Sequence, residues 1–221
     1  MTNEVVQIDV VSDVMCPWCY VGKKRLEKAL AIIPENILVE INWRPFQLDP
    51  TIPPEGRDRQ KYLSDKFGSP EQIAEKYDPI RQAGEAEGIP FNFDAIEVSP
   101  NTLNAHRLLR WAGEVGLQDA MSERLFVAYF VEAANLTDNA VLVDLAVDIG
   151  MEREVVERLF EGEAGLQEVR QEMLQYQQMG VRSVPTMIVG QKYAISGAQQ
   201  PETIAQVIAG VVEERKAAAQ A

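Results

Sequence analysis

The chain has 221 residues, 34 of them acidic and 21 basic, for a formal net charge of −13. Such a chain gains neither counterion release on nucleic acid nor attraction to anionic lipid, so both classes of partner are set aside. Apolar residues at 46% and charged ones at 25% suit a globular protein, long enough for one large domain or a small core with an insertion.

The opening Met1-Thr2-Asn3-Glu4 has no basic stretch and no apolar run before a cleavage site. No later segment approaches the ~20 apolar residues that span a bilayer, so the cytoplasm is the expected compartment. Residues 5–12 predict a first strand. Cys16 to Ile33 predicts a helix with Val21, Leu26, Ala29, Leu30 and Ile33 on its buried face, Lys23, Lys24, Arg25 and Lys28 elsewhere, and Pro34 as its stop. Ile37 to Phe46 alternates through Val39, Ile41 and Trp43 as a second strand, completing β-α-β.

The proline-rich stretch Asp49 to Gly56 continues neither element and reads as a linker into an insertion. From Arg57 to Gly162 the pattern is helical, with at most a short strand at Pro90–Phe93. Residues 70–87 predict a helix kinked or broken at Asp78-Pro79. A second opens at Ser99-Pro100 and carries Leu103, His106, Leu108 and Leu109. Others span Ala120–Ala134, Val141–Ile149 between an Asp138 cap and Gly150, and Glu152–Phe160.

A helix over Gly165–Gln178 then ends at Gly180, and Thr186–Val189 and Lys192–Ile195 read as antiparallel strands joined at Gly190-Gln191. A terminal helix covers Pro201–Arg215, and Lys216–Ala221 is expected to fray. Removing the insertion leaves β-α-β followed by α-β-β-α. The fold class is therefore α/β, a thioredoxin fold with an inserted all-helical domain. Residues 1–56 and 163–221 form the thioredoxin-like part and 57–162 the insertion.

The chain's only cysteines, Cys16 and Cys19, stand at the start of the first predicted helix. A helix N-terminus carries unpaired N–H groups and about half a positive charge, which favour a thiolate over a thiol. Cys16 is the expected attacking sulfur. Cys19, nearly one turn further, is placed to release a substrate bonded to Cys16. Pro17 suits the first turn, and Trp18 is expected at the surface beside Cys16, where it contacts substrate or covers the disulfide.

A zinc half-site has the same spacing, but a closed site needs four ligands and His106 is the one further soft candidate. Two inert buried cysteines are the other alternative. Spacing alone favours a trans proline at Val184-Pro185, but thioredoxin folds place a cis proline before this strand. The cysteine pair with the β-α-β and α-β-β-α order makes a cis bond the expectation, facing the cysteines and holding the Val184 backbone open to an extended substrate. A trans proline opening an edge strand competes with it. Lys23, Lys24 and Arg25 either favour the thiolate or form a solvated face. Asp9 is either a proton acceptor for Cys19 or a solvent-facing aspartate. His106 is either a structural histidine or a groove residue assisting Cys16.

Ser12-Asp13-Val14-Met15-Cys16-Pro17-Trp18-Cys19-Tyr20-Val21-Gly22-Lys23 resembles the opening motif of FrnE-like members of the DsbA family. Later blocks resemble it too: Trp43–Leu48, Asn101–Arg107, Leu125–Phe130, Gly180–Pro185 and Ser196–Gln199. The resemblance implies dithiol–disulfide oxidoreductase or isomerase activity, with Cys16 as nucleophile, Cys19 as resolving cysteine and Pro185 as the cis-proline. It implies no cofactor beyond the Cys16–Cys19 couple, with glutathione as a possible co-substrate, and disulfide-bearing proteins or small thiols as partners. Related 2-hydroxychromene-2-carboxylate isomerases and kappa-class glutathione transferases, the alternative reading, typically have serine where Cys16 stands. The central Pro-Trp, in place of the Pro-His of strongly oxidising members, predicts a less oxidising couple.

Overall fold

The structure, a computed structural model, describes residues 4–219. The chain opens with β1 (Glu4–Ser12), α1 (Pro17–Leu30) and β2 (Ile37–Pro45). Then come β3 (Arg57–Asp58), α2 (Arg59–Phe67), α3 (Pro70–Glu87), β4 (Val98–Ser99), α4 (Leu103–Glu114), α5 (Gln118–Phe130), α6 (Asn139–Asp148) and α7 (Arg153–Glu161). It closes with α8 (Leu166–Gln178), β5 (Thr186–Val189), β6 (Tyr193–Ser196) and α9 (Pro201–Ala219).

The main sheet has the order β2-β1-β5-β6. β1 runs parallel to β2, with Ile8 opposite Ile41, and antiparallel to β5, with Val10 opposite Met187. Alternation along β1 sends Val6, Ile8 and Val10 into a core shared with Val21, Leu26 and Ala29 of α1 and Ile204 and Ile208 of α9. Val11 points the other way and packs with Phe46, Ile188 and Tyr176 of α8. β2 is an edge strand, and the helical segment lies against it. The Gln118 carboxamide accepts the Trp43 N–H at 2.9 Å and donates to the Trp43 carbonyl at 3.1 Å. Arg107 clasps the α7–α8 connection, donating to the carbonyls of Leu159, Gly162 and Ala164.

Several expectations are corrected. α1 stops at Leu30, before Ile33, because Ile32 turns back to the Ala29 carbonyl at 3.1 Å and the residue before Pro34 is kept out of the helical region. Of the kink or break expected at Asp78-Pro79, the break does not occur: α3 continues through Pro79, which is exposed, so water can satisfy the carbonyl that proline leaves unpaired. The expected strand at Pro90–Phe93 does not form. Arg57–Asp58 pairs instead with Val98–Ser99, so Ser99 lies in a strand and the next helix starts only at Leu103. β6 begins at Tyr193 and ends at Ser196, and α5 spans Gln118–Phe130 instead of reaching Ala134. α9 continues through Ala219, so residues expected to fray are helical. Gln220 and Ala221, like Met1 to Asn3, lie outside the described residues.

Candidate active site

Cys16 ends the β1–α1 loop as the N-cap of α1, with extended backbone at φ −92° and ψ 111°. Its N–H donates to the Asp13 carbonyl at 3.0 Å, and its own carbonyl accepts the Cys19 N–H at 3.0 Å. Pro17 fills the first helical position, where an N–H would go unpaired. The Cys16 side chain makes no capping bond and the first turn holds no acidic residue, so the positive helix end is left to the sulfur. Both thiols are free and enclosed, Cys16 at 4% exposure and Cys19 at 1%. Burial first, then the hydrogen bond and charge of Cys16, push the Cys19 thiol well above its usual range; Ser12 and the Asp13 backbone pull the other way. The two sulfurs are thus inequivalent.

Across from them, the Val184 carbonyl lies 3.8 Å from the Cys16 sulfur, and the Val184–Pro185 peptide is cis. Pro185 is buried, and its carbonyl accepts the Gly197 N–H at 2.8 Å. It rests on α1 at Gly22, where an added Cβ would stand 3.0 Å from the Pro185 Cγ. Val184 is half-buried between the two apolar clusters. Trp18 is also half-buried, and its covered part packs against the main core.

Asp9 is not beside Cys19. It lies under α8, where it accepts Arg44 Nε at 2.9 Å and the Tyr176 hydroxyl at 3.1 Å. The fully buried carboxyl beneath the cysteine turn belongs to Asp13. Its Oδ2 accepts the Leu48 N–H at 2.7 Å, and its Oδ1 lies 3.4 Å from His106 Nε2. His106 Nε2 also lies 2.8 Å from the Phe46 carbonyl. The ring is 3% exposed and ties α4 to the end of β2, and His106 is also among the residues that line a cavity between β2 and α4.

Lys23 and Arg25 are buried, against the expectation of a solvated face. Lys23 Nζ sits 2.8 Å from Glu27 and 3.0 Å from Asp119, which also accepts Trp43 Nε1 at 3.0 Å. Arg25 donates to Glu87 at 2.7 Å. Both cations are committed to carboxylates that anchor α1. Among the described residues no three His, Cys, Asp or Glu side chains gather as a metal site.

A cysteine pair at a helix start, facing a proline loop on a β-α-β scaffold, is an arrangement that can be compared with known proteins. A family model described as the DSBA-like thioredoxin domain matches residues 7–209. The chain belongs to the DSBA-like family. A similar DSBA-like solved structure is a probable DsbA oxidoreductase, SCO1869, from Streptomyces coelicolor. It is 32% identical, with a TM-score of 0.88, over 95% of this chain and 91% of that one. YwbO of Bacillus subtilis, described as uncharacterized, is 29% identical over 84% of this chain and 87% of its own length. The cytosolic disulfide reductase DsbM of Pseudomonas aeruginosa, solved with GSH, shares the DSBA-like fold at 16% identity and a TM-score of 0.64, over 94% of this chain and 99% of its own.

Sequence reasoning passed over Asp13 and Gly22, both inside the motif it singled out. Asp13 stands three positions before Cys16, where it reads as an ordinary turn aspartate. Gly22 sits mid-helix, where glycine is costly, and that cost was the available signal of a close approach.

Proposed function

We propose that this protein is a cytoplasmic thiol–disulfide oxidoreductase, with isomerase capacity, acting on disulfides of proteins or small thiols. The observation that carries the reading is the inequivalence of the two sulfurs: Cys16 faces the positive end of α1, and burial keeps the Cys19 proton on. The Cys16 thiolate attacks one sulfur of a substrate disulfide, forming a mixed disulfide and releasing the other sulfur as a thiolate. Cys19, on losing its proton, attacks the Cys16 sulfur and releases the second substrate thiolate. The substrate gains two electrons and the protein retains a Cys16–Cys19 disulfide. Two equivalents of an external thiol such as glutathione then reduce it.

Pro17 and Trp18 border the attacking sulfur, and Val184 and Pro185 form the facing edge on which an extended substrate pairs its backbone. His106 has its part in this cycle through Asp13 and Phe46, as a support of the turn. In the cytoplasm, where dithiol pools are reducing, net flow runs toward substrate reduction and reshuffling.

Insulin-disulfide reduction driven by dithiothreitol tests this reading. Cys16→Ser should reduce the catalysed rate to background, and Cys19→Ala should accumulate a mixed disulfide visible by mass spectrometry. Undiminished turnover by Cys16→Ser would overturn it. Equilibration against glutathione should place the couple nearer thioredoxin's about −270 mV than DsbA's about −120 mV.

A further inference from the structure

Arg59 stands at the start of α2 with only 4% of its surface exposed. Among the described residues no carboxylate lies within ion-pair distance of it. Its Nη1 donates to the Tyr129 hydroxyl at 2.9 Å and its Nη2 to the Tyr77 hydroxyl at 3.1 Å. Burial pushes both phenols up, so neither supplies a counter-charge at neutral pH. The other buried cations are provided for: Lys23 and Arg25 have carboxylates, and Arg107 is surrounded by carbonyl oxygens. A guanidinium is charged at any physiological pH, and burying it without an anion costs stability.

Arg59 also lines a cavity of about 810 Å³ between α2 and α3, with Leu63, Ile73, Ala74 and Tyr77 among its walls. The acidic groups at its margin are occupied or outward: Asp58 accepts the Lys61 N–H at 2.8 Å, Asp94 pairs with Arg81 at 2.9 Å, and Asp78 is exposed. The buried charge among these residues is therefore positive, and Leu63, Ile73, Tyr77 and Phe93 supply apolar wall between the polar groups. The cavity's volume is that of a small-molecule site.

We propose that this cavity binds a small organic acid, its carboxylate paired with the Arg59 fork and its apolar body against Leu63, Ile73 and Tyr77. A planar carboxylate matches the guanidinium geometry, and a desolvated pair of this kind is strong.

Binding of naphthoate, followed by calorimetry, tests the site without any redox step. Wild type and Cys16→Ser should bind it alike. Arg59→Gln should weaken it about ten-fold or more, the worth of a charge-assisted hydrogen bond, and should narrow its advantage over neutral naphthamide. Ala74→Trp, which fills the cavity and leaves Arg59 in place, should abolish binding and remains readable if the Arg59 variant does not fold. Absence of binding to wild type, or equal affinity in both variants, overturns the proposal.

Discussion

Gly22 lacks a side chain where Pro185 needs the room, so its replacement is a direct probe of how α1 and the proline loop are held together. Gly22→Val should push the loop away from the Cys16 sulfur. Overpacking of this sort costs about 1–3 kcal/mol. A lower urea midpoint together with slower disulfide exchange is the expected result. Asp13 makes a second prediction. Asp13→Ala removes the acceptor that the Leu48 N–H meets at 2.7 Å, a loss of about 1 kcal/mol measurable by denaturant titration, whereas Asp13→Asn retains an acceptor oxygen and should recover most of it. At this scale the cysteines were legible because their spacing and position at a helix start have few other uses. Asp13 was not, since an aspartate in a turn usually faces water and nothing local announces that His106 and Leu48 close over it.

At the scale of elements, α1 is fastened by ion pairs that span long stretches of sequence. Glu87, in the last turn of α3, meets both Arg25 and Lys28, at 2.7 and 2.6 Å. Partial burial pushes its carboxyl up, but Lys28 and Arg25 outweigh that and hold it below the ordinary glutamate value of 4.5. A depressed folded-state value means the pair stabilises above pH 4.5 and loses that contribution as acid protonates Glu87 in the folded protein. The wild-type melting temperature should therefore exceed that of Glu87→Gln at pH 7 and converge on it at low pH. Each ~1 kcal/mol corresponds to about 2–4 °C for a chain of this size. A gap that persists unchanged into acid would remove the ion pair as its cause. The basic run of α1 looked solvated because its partners are remote: Asp119 stands 96 positions from Lys23, and Glu87 stands 62 from Arg25. Periodicity shows which positions face a neighbour only when they are apolar.

Across the whole molecule, one apolar cluster runs from β1 and α1 through α4, α5 and α6 to α9. Trp43 beside the sheet and Trp111 within the helical segment both belong to it. Helical circular dichroism and tryptophan fluorescence should report one coincident unfolding transition, and separate midpoints would contradict a shared core. The helical insertion proposed for residues 57–162 is thus a unit of chain order that leans on the sheet for its packing. The β-α-β and α-β-β-α arrangement was legible because its strands are long enough to alternate and its turns carry glycine and proline. The two-residue pairing of Arg57–Asp58 with Val98–Ser99 was not, because two residues are too few to show a period.

The Gln118 carboxamide occupies the Trp43 rung on the outer margin of β2, satisfying the donor and the acceptor that a foreign strand would seek. A protein with the function proposed above, if its substrates are half-unfolded chains, risks recruiting them as extra sheet. Here that rung is already taken, and the opposite margin, β6, offers only four residues. On the proposed reading, clients are held by covalent sulfur and let go again, with little free sheet margin on which to template aggregation.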